Sequence, residues 1–595
     1  MKTSVWTYLV LLMLVLPSCM MAEEDEAAAP LLVAWCDDSS DCAGDLICDD
    51  AARVCVLDEP LDLQAWVRLL PPDNSLLAVE EQYGNMEVSN SKPLNLALNR
   101  PIKVVGKVVL GDGGVASGEV ADITAVSDGE IPDLKIHEYA KASDSNVDIT
   151  GAPQAGFTLW VNQGKPYDIT VNLTNYEGEN DLPPYHIRKS FKPDFSKADP
   201  FTVPYTIKVP VKEEYLGISG RLLKGGEDPE PLVGAKVHAI CDETGNASSV
   251  AITDSEGLFS ILIQPLDELD AEVYKLHIKP SALNELVPRL VVDEIEITEA
   301  AKPHEPLDTG THTLDGLQDL MGLNLQVLNP DEQFELTYLA ETVVRFTAKV
   351  STGAIEVERT VDSEGKVYAV VPRMNYVVSV MPPTRTIQGN EQKYGIHQEL
   401  LQLEGLASED LSISIVLSER PEVHGFVLNP LGHTVSDARV EATFTGKGTY
   451  PDLSTLPTRL YEAKTDDTGR YKMRLDPGQY RIVVDPPVGL GFPRRIERNV
   501  YVQSSQQRTF DLAYPSAVIG TVVGMHKAVE EPDESLDPLP AGQPGEPFTG
   551  PAPNVKIELY DETEANSLAD GLKPEPIATA ITDAEGNFIL VVPAE

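Results

Sequence analysis

The sequence predicts an all-β fold, a tandem array of β-sandwich domains that follows a small disulfide-rich module. Three observations carry that prediction. A turn signature, T-D-x-x-G-x-F/Y with degenerate copies, recurs along the chain with glycines at 156, 257, 365, 469 and 586, about a hundred residues apart. Such spacing marks a series of similar units, each long enough to hold its own core. Around each copy, side chains follow a two-residue period, as in Tyr480, Ile482 and Val484 against Arg481, Val483 and Asp485. That is how a half-buried strand reads. Near the start, Cys36, Cys42, Cys48 and Cys55 crowd into a segment too short to bury a useful core.

Residues 1–18 have the layout of an export signal: Lys2, an apolar run from Val5 to Leu16, and the small Ser18. The run is too short to span a bilayer. Leu16-Pro17-Ser18-Cys19 resembles the lipobox of bacterial lipoproteins, with Pro17 departing from the small or β-branched residue usual there. The resemblance implies cleavage before Cys19 and lipid attachment at Cys19. Met20, where an aspartate would signal inner-membrane retention, implies the outer membrane and the cell surface. An ordinary secretory cleavage near Ala22 is the alternative. Residues 19–35 form an acidic tether. No later stretch approaches the roughly 20 apolar residues of a spanning helix, so membrane attachment rests on Cys19.

Residues 36–57 carry the cysteine pattern C-x5-C-x5-C-x6-C. In an exported chain two disulfides are the economical use of four thiols, with three pairings open. Zinc is the rival, although its tetrahedral sites use shorter gaps. Calcium at Asp37, Asp38, Asp41 and Asp45 lacks an EF-hand spacing. The segment resembles the short cysteine-rich modules that follow the signal in bacterial surface lipoproteins.

Residues 58–101 read as a partial β unit, the return half of a sandwich whose beginning is absent. Sandwiches then follow at 102–215, 216–322, 323–420 and 421–514, and 515–595 is an incomplete fifth. Each starts with a strand carrying a central glycine: VVGKVVL at Val104, GISGRLL at Gly217, VHGFVL at Val423, VIGTVVG at Val518. A second strand follows, as in PLVGAKVHAIC, VSDARVEATF and APNVKIELY. The T-D-x-x-G turn comes next, at Thr253, Thr465 and Thr582, with a degenerate copy at Thr360 and a weaker one around Gly156. After it, PGQYRIVVDPP, RMNYVVSVMPP, VYKLHIKP and GKPYDITVNL place Tyr480, Tyr376, Tyr274 and Tyr167 equivalently. Long returns at 176–203, 381–410 and 488–508 carry additional segments. Many short strands with turn signals argue a β-sandwich.

The order G-x-V, G-A-x-V, T-D-x-x-G-x-F/Y, P-G-x-Y-x-V-x-V resembles the carboxypeptidase regulatory-like domain, over most of residues 102–595. The resemblance implies an immunoglobulin- or prealbumin-like sandwich of about seven strands.

Within each turn, Gly257, Gly469 and Gly586 fit a left-handed backbone, and Asp254, Asp466 and Asp583 can bond their own backbone two residues on. A calcium loop is the rival reading, but each turn offers too few oxygens for six to eight ligands. Cys241 shares a strand face with Ala235, Val237 and Ala239, as a buried apolar residue does. Residues 529–553, rich in proline and acid, interrupt the last unit as an exposed, partly extended loop. The chain stops at 595 where other copies continue into P-G-x-Y, which would leave an open edge. Truncation is the simpler account, and a strand supplied from elsewhere is the other.

Acidic residues number 94 against 46 basic ones, a net charge of −48, which repels phosphate backbones and excludes nucleic acid as a partner. The ten histidines form no H-E-x-x-H or H-x-H pair, and no G-x-S-x-G elbow, P-loop or dinucleotide fingerprint occurs. His424 and His433 flank one first strand as ordinary strand and loop residues. No catalytic residue, metal or cofactor is expected. The sequence therefore predicts a non-enzymatic, lipid-anchored surface protein, an elongated structural or adhesive stalk. A carbohydrate- or protein-binding module, meeting a surface polysaccharide or protein ligand through variable loops, is the alternative. So is the accessory region of an enzyme whose catalytic domain lies beyond residue 595.

Overall fold

The computed structural model describes residues 36–594, less a number of internal stretches of which the longest are 144–155, 192–201, 527–547 and 562–572. Cys19 and the rest of 1–35 lie outside the described residues. The regular structure of the described chain is almost wholly strand, as expected. Its α-helix is a single turn, Leu336–Leu339.

Residues 421–514 show the plan of a unit. One antiparallel sheet takes the order Arg459–Lys464, Arg439–Phe444, Gly478–Asp485, Arg495–Val502. The facing sheet centres on the first strand, Glu422–Leu428, with Arg470–Arg474 antiparallel on one side. On its other side lie Gln506–Gln507 and Phe510–Asp511, both parallel to it. Val440, Ala442, Phe444, Tyr480, Ile482 and Val484 meet Val423, Val427, Tyr471, Met473 and Phe510 between the sheets. Burial of these alternate side chains drives the sandwich, at about 1.5–3 kcal/mol for each large apolar one. Similar cores fill the regions around 216–314 and 321–417. Around 102–209, the strand Ile136–Ser143 reaches Gly156 and merges both layers into one seven-stranded sheet.

Two recurrent sequence features have clear causes. The central glycine of each first strand sits where the last strand comes close. A Cβ at Gly106, Gly425 or Gly520 would lie 2.2, 1.9 or 2.1 Å from the carbonyl oxygen of Tyr205, Arg508 or Leu94. In the turns, Asp254, Asp362, Asp466 and Asp583 each accept two backbone N–H bonds on Oδ1, from residues two and four further on. The glycine at each turn has φ between +72° and +78°. These are turn carboxylates, each with Oδ1 committed to the backbone.

Residues 63–98 and 515–593 share one sandwich, which corrects the reading of 58–101 and 515–595 as separate pieces. Leu63–Leu70 pairs antiparallel with Lys556–Asp561 and takes the place of the missing P-G-x-Y strand. Val67 stands opposite Leu559 as Ile482 stands opposite Ala442, and Ala65 stands opposite Asp561 as Tyr480 stands opposite Phe444. Glu81–Val88 is the return strand. Leu94–Leu98 lies parallel to Pro515–His526 as the last strand. Val67, Leu69, Leu94, Leu96 and Leu98 thereby share a core with Val518, Val522, Ile557, Leu559, Phe588 and Leu590. The edge expected to stand open is covered.

This closure also corrects the open stalk. The last strand of each unit leads within a few residues into the first strand of the next, from Leu98 to Ile102, Val209 to Leu216, Leu314 to Leu320, Val416 to Glu422 and Asp511 to Pro515. Because the fifth sandwich is built from both ends, the five units form a closed circuit, in which 102–514 is an insertion between the halves of one domain.

The described end of the proline-rich insertion belongs to the sandwich. Residues 529–547 lie outside the described residues, but Phe548–Pro551 pairs with the end of Pro515–His526, and Ala552 is buried in the core.

Candidate functional site

Among the described residues, hydrogen bonds and ion pairs link neighbouring units at the joints. At each joint the return strand, or its flank, meets the next unit. His186 donates its backbone N–H to Gln264 Oε1 at 2.8 Å, joining 102–215 to 216–322. The strand Leu290–Thr298 lies beside Gly353–Thr360 at the next joint. Thr449 donates to Gln398 Oε1 at 2.7 Å across the third, and Ile496 packs into the core of the composite unit at the fourth.

The third joint holds a buried charge network. Asp476, with no exposed side-chain surface, accepts from Arg420 Nε at 3.0 Å and from the Ile396 N–H at 2.9 Å through Oδ1. Its Oδ2 accepts from Arg459 at 2.8 Å and from the Tyr461 hydroxyl. Arg420 also donates to the carbonyls of Gln392 and Pro383, at 3.0 and 3.1 Å, so one linker residue clamps the return of one unit to the turn of the next. Tyr480 donates to the Asp476 carbonyl at 2.7 Å. Burial opposes charge on Asp476, but Arg420 and Arg459, with the Tyr461 hydrogen bond, hold its carboxyl below the usual range. Beside the network lies an open polar cleft of about 400 Å³ lined by Glu419, Glu422, Arg474, Ser504 and Ser505.

The circuit closes through Arg68. This residue of the Leu63–Leu70 strand takes both oxygens of Glu80 at 2.7 Å and reaches Glu558 Oε2 at 3.1 Å in the C-terminal half. Burial would raise Glu558, but hydrogen bonds from Lys556 and Tyr560 and the Arg68 charge hold it down. The same hairpin then docks on 102–215. Gln82 accepts from the Ile131 N–H at 3.0 Å, and Asn162 donates to the Glu80 carbonyl at 2.6 Å. Trp66, Ile131, Leu134 and Tyr560 form a small apolar cluster there. Burial, and then the charge of Glu80, pushes the Glu138 carboxyl up to about 8. On the other side, Arg481 and Arg494 bind the carbonyls of Lys573 and Pro576 at 2.6 and 2.8 Å and pair with Glu575.

The predicted site residues fall as follows. Cys36 bonds Cys48 and Cys42 bonds Cys55, one of the three open pairings. Among the described residues, the one group of close potential metal ligands is Cys36, Cys42 and Cys55, whose sulfurs are engaged in these disulfides. The module rests on the composite unit, with Tyr514 against its cysteines and Val56 against Ala517. Cys241 is a free, buried thiol within a core. His424 lies beside Glu422, whereas His433 belongs to a turn closed by Asn429. Tyr167, Tyr274, Tyr376 and Tyr480 are all fully buried. Arg68, Arg420 and Asp476 were not singled out by sequence. The signal for Asp476 was a carboxylate directly before Pro477-Gly478, where a strand turns inward. The turn threonines were named by their motif but given no role: Thr253, Thr465 and Thr582 are buried, each accepting one N–H and donating to one carbonyl of the preceding loop.

No family model matches the chain, and no curated protein matches it. Solved structures do align. A streptococcal ancillary pilin aligns at 12% identity over 50% of this chain and 99% of its own, with a TM-score of 0.20. The shaft pilin SpaA of Lactobacillus rhamnosus GG aligns at 9% identity over 34% and 98%, with a TM-score of 0.17. The major pilin subunit BcpA of Bacillus cereus aligns at 8% over 54% and 100%, with a TM-score of 0.14. Agreement this low carries no argument about what this chain does.

Proposed function

We propose that the chain is a non-enzymatic, exported surface lipoprotein, held through a lipid at Cys19, whose closed circuit of sandwiches is a structural and adhesive scaffold. The observation that carries this reading is where the disulfide module sits. It packs against Tyr514 and Ala517, on the sandwich that closes the circuit, so a tether at the N-terminal side would hold the whole assembly by one corner. From that corner the other four units are presented outward, and their variable loops are the natural face for a surface polysaccharide or protein ligand. A scaffold of this kind requires rigid joints, and the clamps at Arg420 and Arg68 are suited to that. Metabolic labelling with a fatty-acid analogue, followed by membrane fractionation, tests the tether. Wild type is expected to be labelled and membrane-bound, and Cys19→Ala to be unlabelled and released. A Cys19→Ala chain that keeps the label or the membrane attachment overturns the anchored reading.

A further inference from the structure

We propose that the split sandwich is a self-association site: residues 63–98 of one molecule complete the 515–593 half of a second copy, joining chains head to tail. The proposal stands on the geometry of the closure and is independent of the lipid anchor.

The C-terminal half cannot close by itself. Without Leu63–Leu70 and Leu94–Leu98, the strands Lys556–Asp561 and Pro515–His526 each lose a hydrogen-bonded neighbour. Two edges and the apolar face of Val518, Val522, Ile557, Leu559 and Leu590 would then stand open. Unpaired edges over an apolar face are templates for an added strand. The complement that fits is defined by this chain: the Val67 and Leu69 face, the parallel ladder of Leu94–Leu98, Arg68 for Glu558, Asn95 for Thr521 at 2.9 Å and Asn90 for Ser516 at 3.3 Å. Any other copy carries the same complement.

Exchange also preserves the remaining contacts. The joints run return strand to next unit around the whole circuit, a head-to-tail arrangement that closes as a ring or continues as an open chain with the same interfaces. Both disulfides lie inside the module, so no covalent link ties the two halves except the polypeptide through residues 99–514. That connection sets the effective concentration of the intramolecular closure. Closure within one molecule therefore dominates in dilute solution, and exchange grows with concentration once the split unit opens.

Two full-length variants test this. Val67→Asp with Leu69→Asp disables the donated strand and leaves the receiving half intact. Ile557→Asp with Leu559→Asp does the reverse. Refolded together with disulfides intact, the pair is expected to give a species of twice the chain mass that neither variant gives alone, seen by light scattering after gel filtration. A mixture that equals the sum of its separate samples overturns the proposal. Wild type provides a second reading free of folding defects. Unlabelled and 15N-labelled chains are held together at high concentration in urea sufficient to open the split unit, then diluted. Native mass spectrometry should find dimers of intermediate mass; only unmixed species across all concentrations overturn the proposal equally.

Discussion

At the residue scale, Asp476 is a carboxylate whose burial is justified by its partners alone. Both oxygens are occupied, by Arg420, Arg459, Tyr461 and the Ile396 N–H. Removing one partner of a buried ion pair leaves uncompensated charge and costs about 3–5 kcal/mol. Asp476→Ala is therefore expected to lower the calorimetric transition of the third joint, while a variant of the exposed pair Lys464–Asp437 shifts it little. Gly520 is constrained differently. A Cβ there meets the Leu94 carbonyl at 2.1 Å and the Phe588 ring at 2.4 Å. Gly520→Ala should cost about 1–3 kcal/mol by overpacking, and hydrogen exchange should locate the loss in Leu94–Leu98. This glycine was legible in the sequence as a recurring position, but its cause was not. The cause is the approach of a strand more than 400 residues distant in the chain.

At the scale of elements, the strand Ile136–Ser143 and the hairpin ending in Glu81–Val88 make a joint that is expected to respond to pH. Glu138 is raised to about 8 by burial and by Glu80, and Glu81 is raised by burial and by Glu130 against the opposing charge of Lys165. A carboxyl raised on folding binds its proton more tightly in the folded state, so its contribution is complete below the unfolded value and is lost as pH rises towards 8. Amide exchange across residues 131–140 should accelerate from pH 5 to pH 8 beyond the intrinsic rate, and Glu138→Gln should flatten that rise. Unchanged protection in wild type would refute it. The strands themselves were largely readable, because period two and the T-D-x-x-G turns are local signals. The joints were not, because Gln82, Gln264 and Gln398 carry no pattern that separates a docking side chain from a solvated one.

At the scale of the whole molecule, the array is a circuit. A linear run of five sandwiches and a closed one bury similar cores, but the circuit folds back on itself and has a much shorter longest dimension. Small-angle scattering should show that dimension increase when Val67→Asp with Leu69→Asp opens the split unit. A wild type as long as the opened variant would contradict the circuit. Sequence revealed the missing strand and the surplus half unit, yet not that one answers the other. Ala65 occupies the place of the diagnostic tyrosine, and the P-G turn is absent from that copy. The closure has a mechanical side. Glu59 is held by Asn90, Asn90 reaches Ser516, and Ala594 donates to the Tyr514 carbonyl, so both ends of the described chain emerge at one corner of the split sandwich. Tension applied between those ends would load that sandwich alone, and the four inserted units would hang outside the line of force.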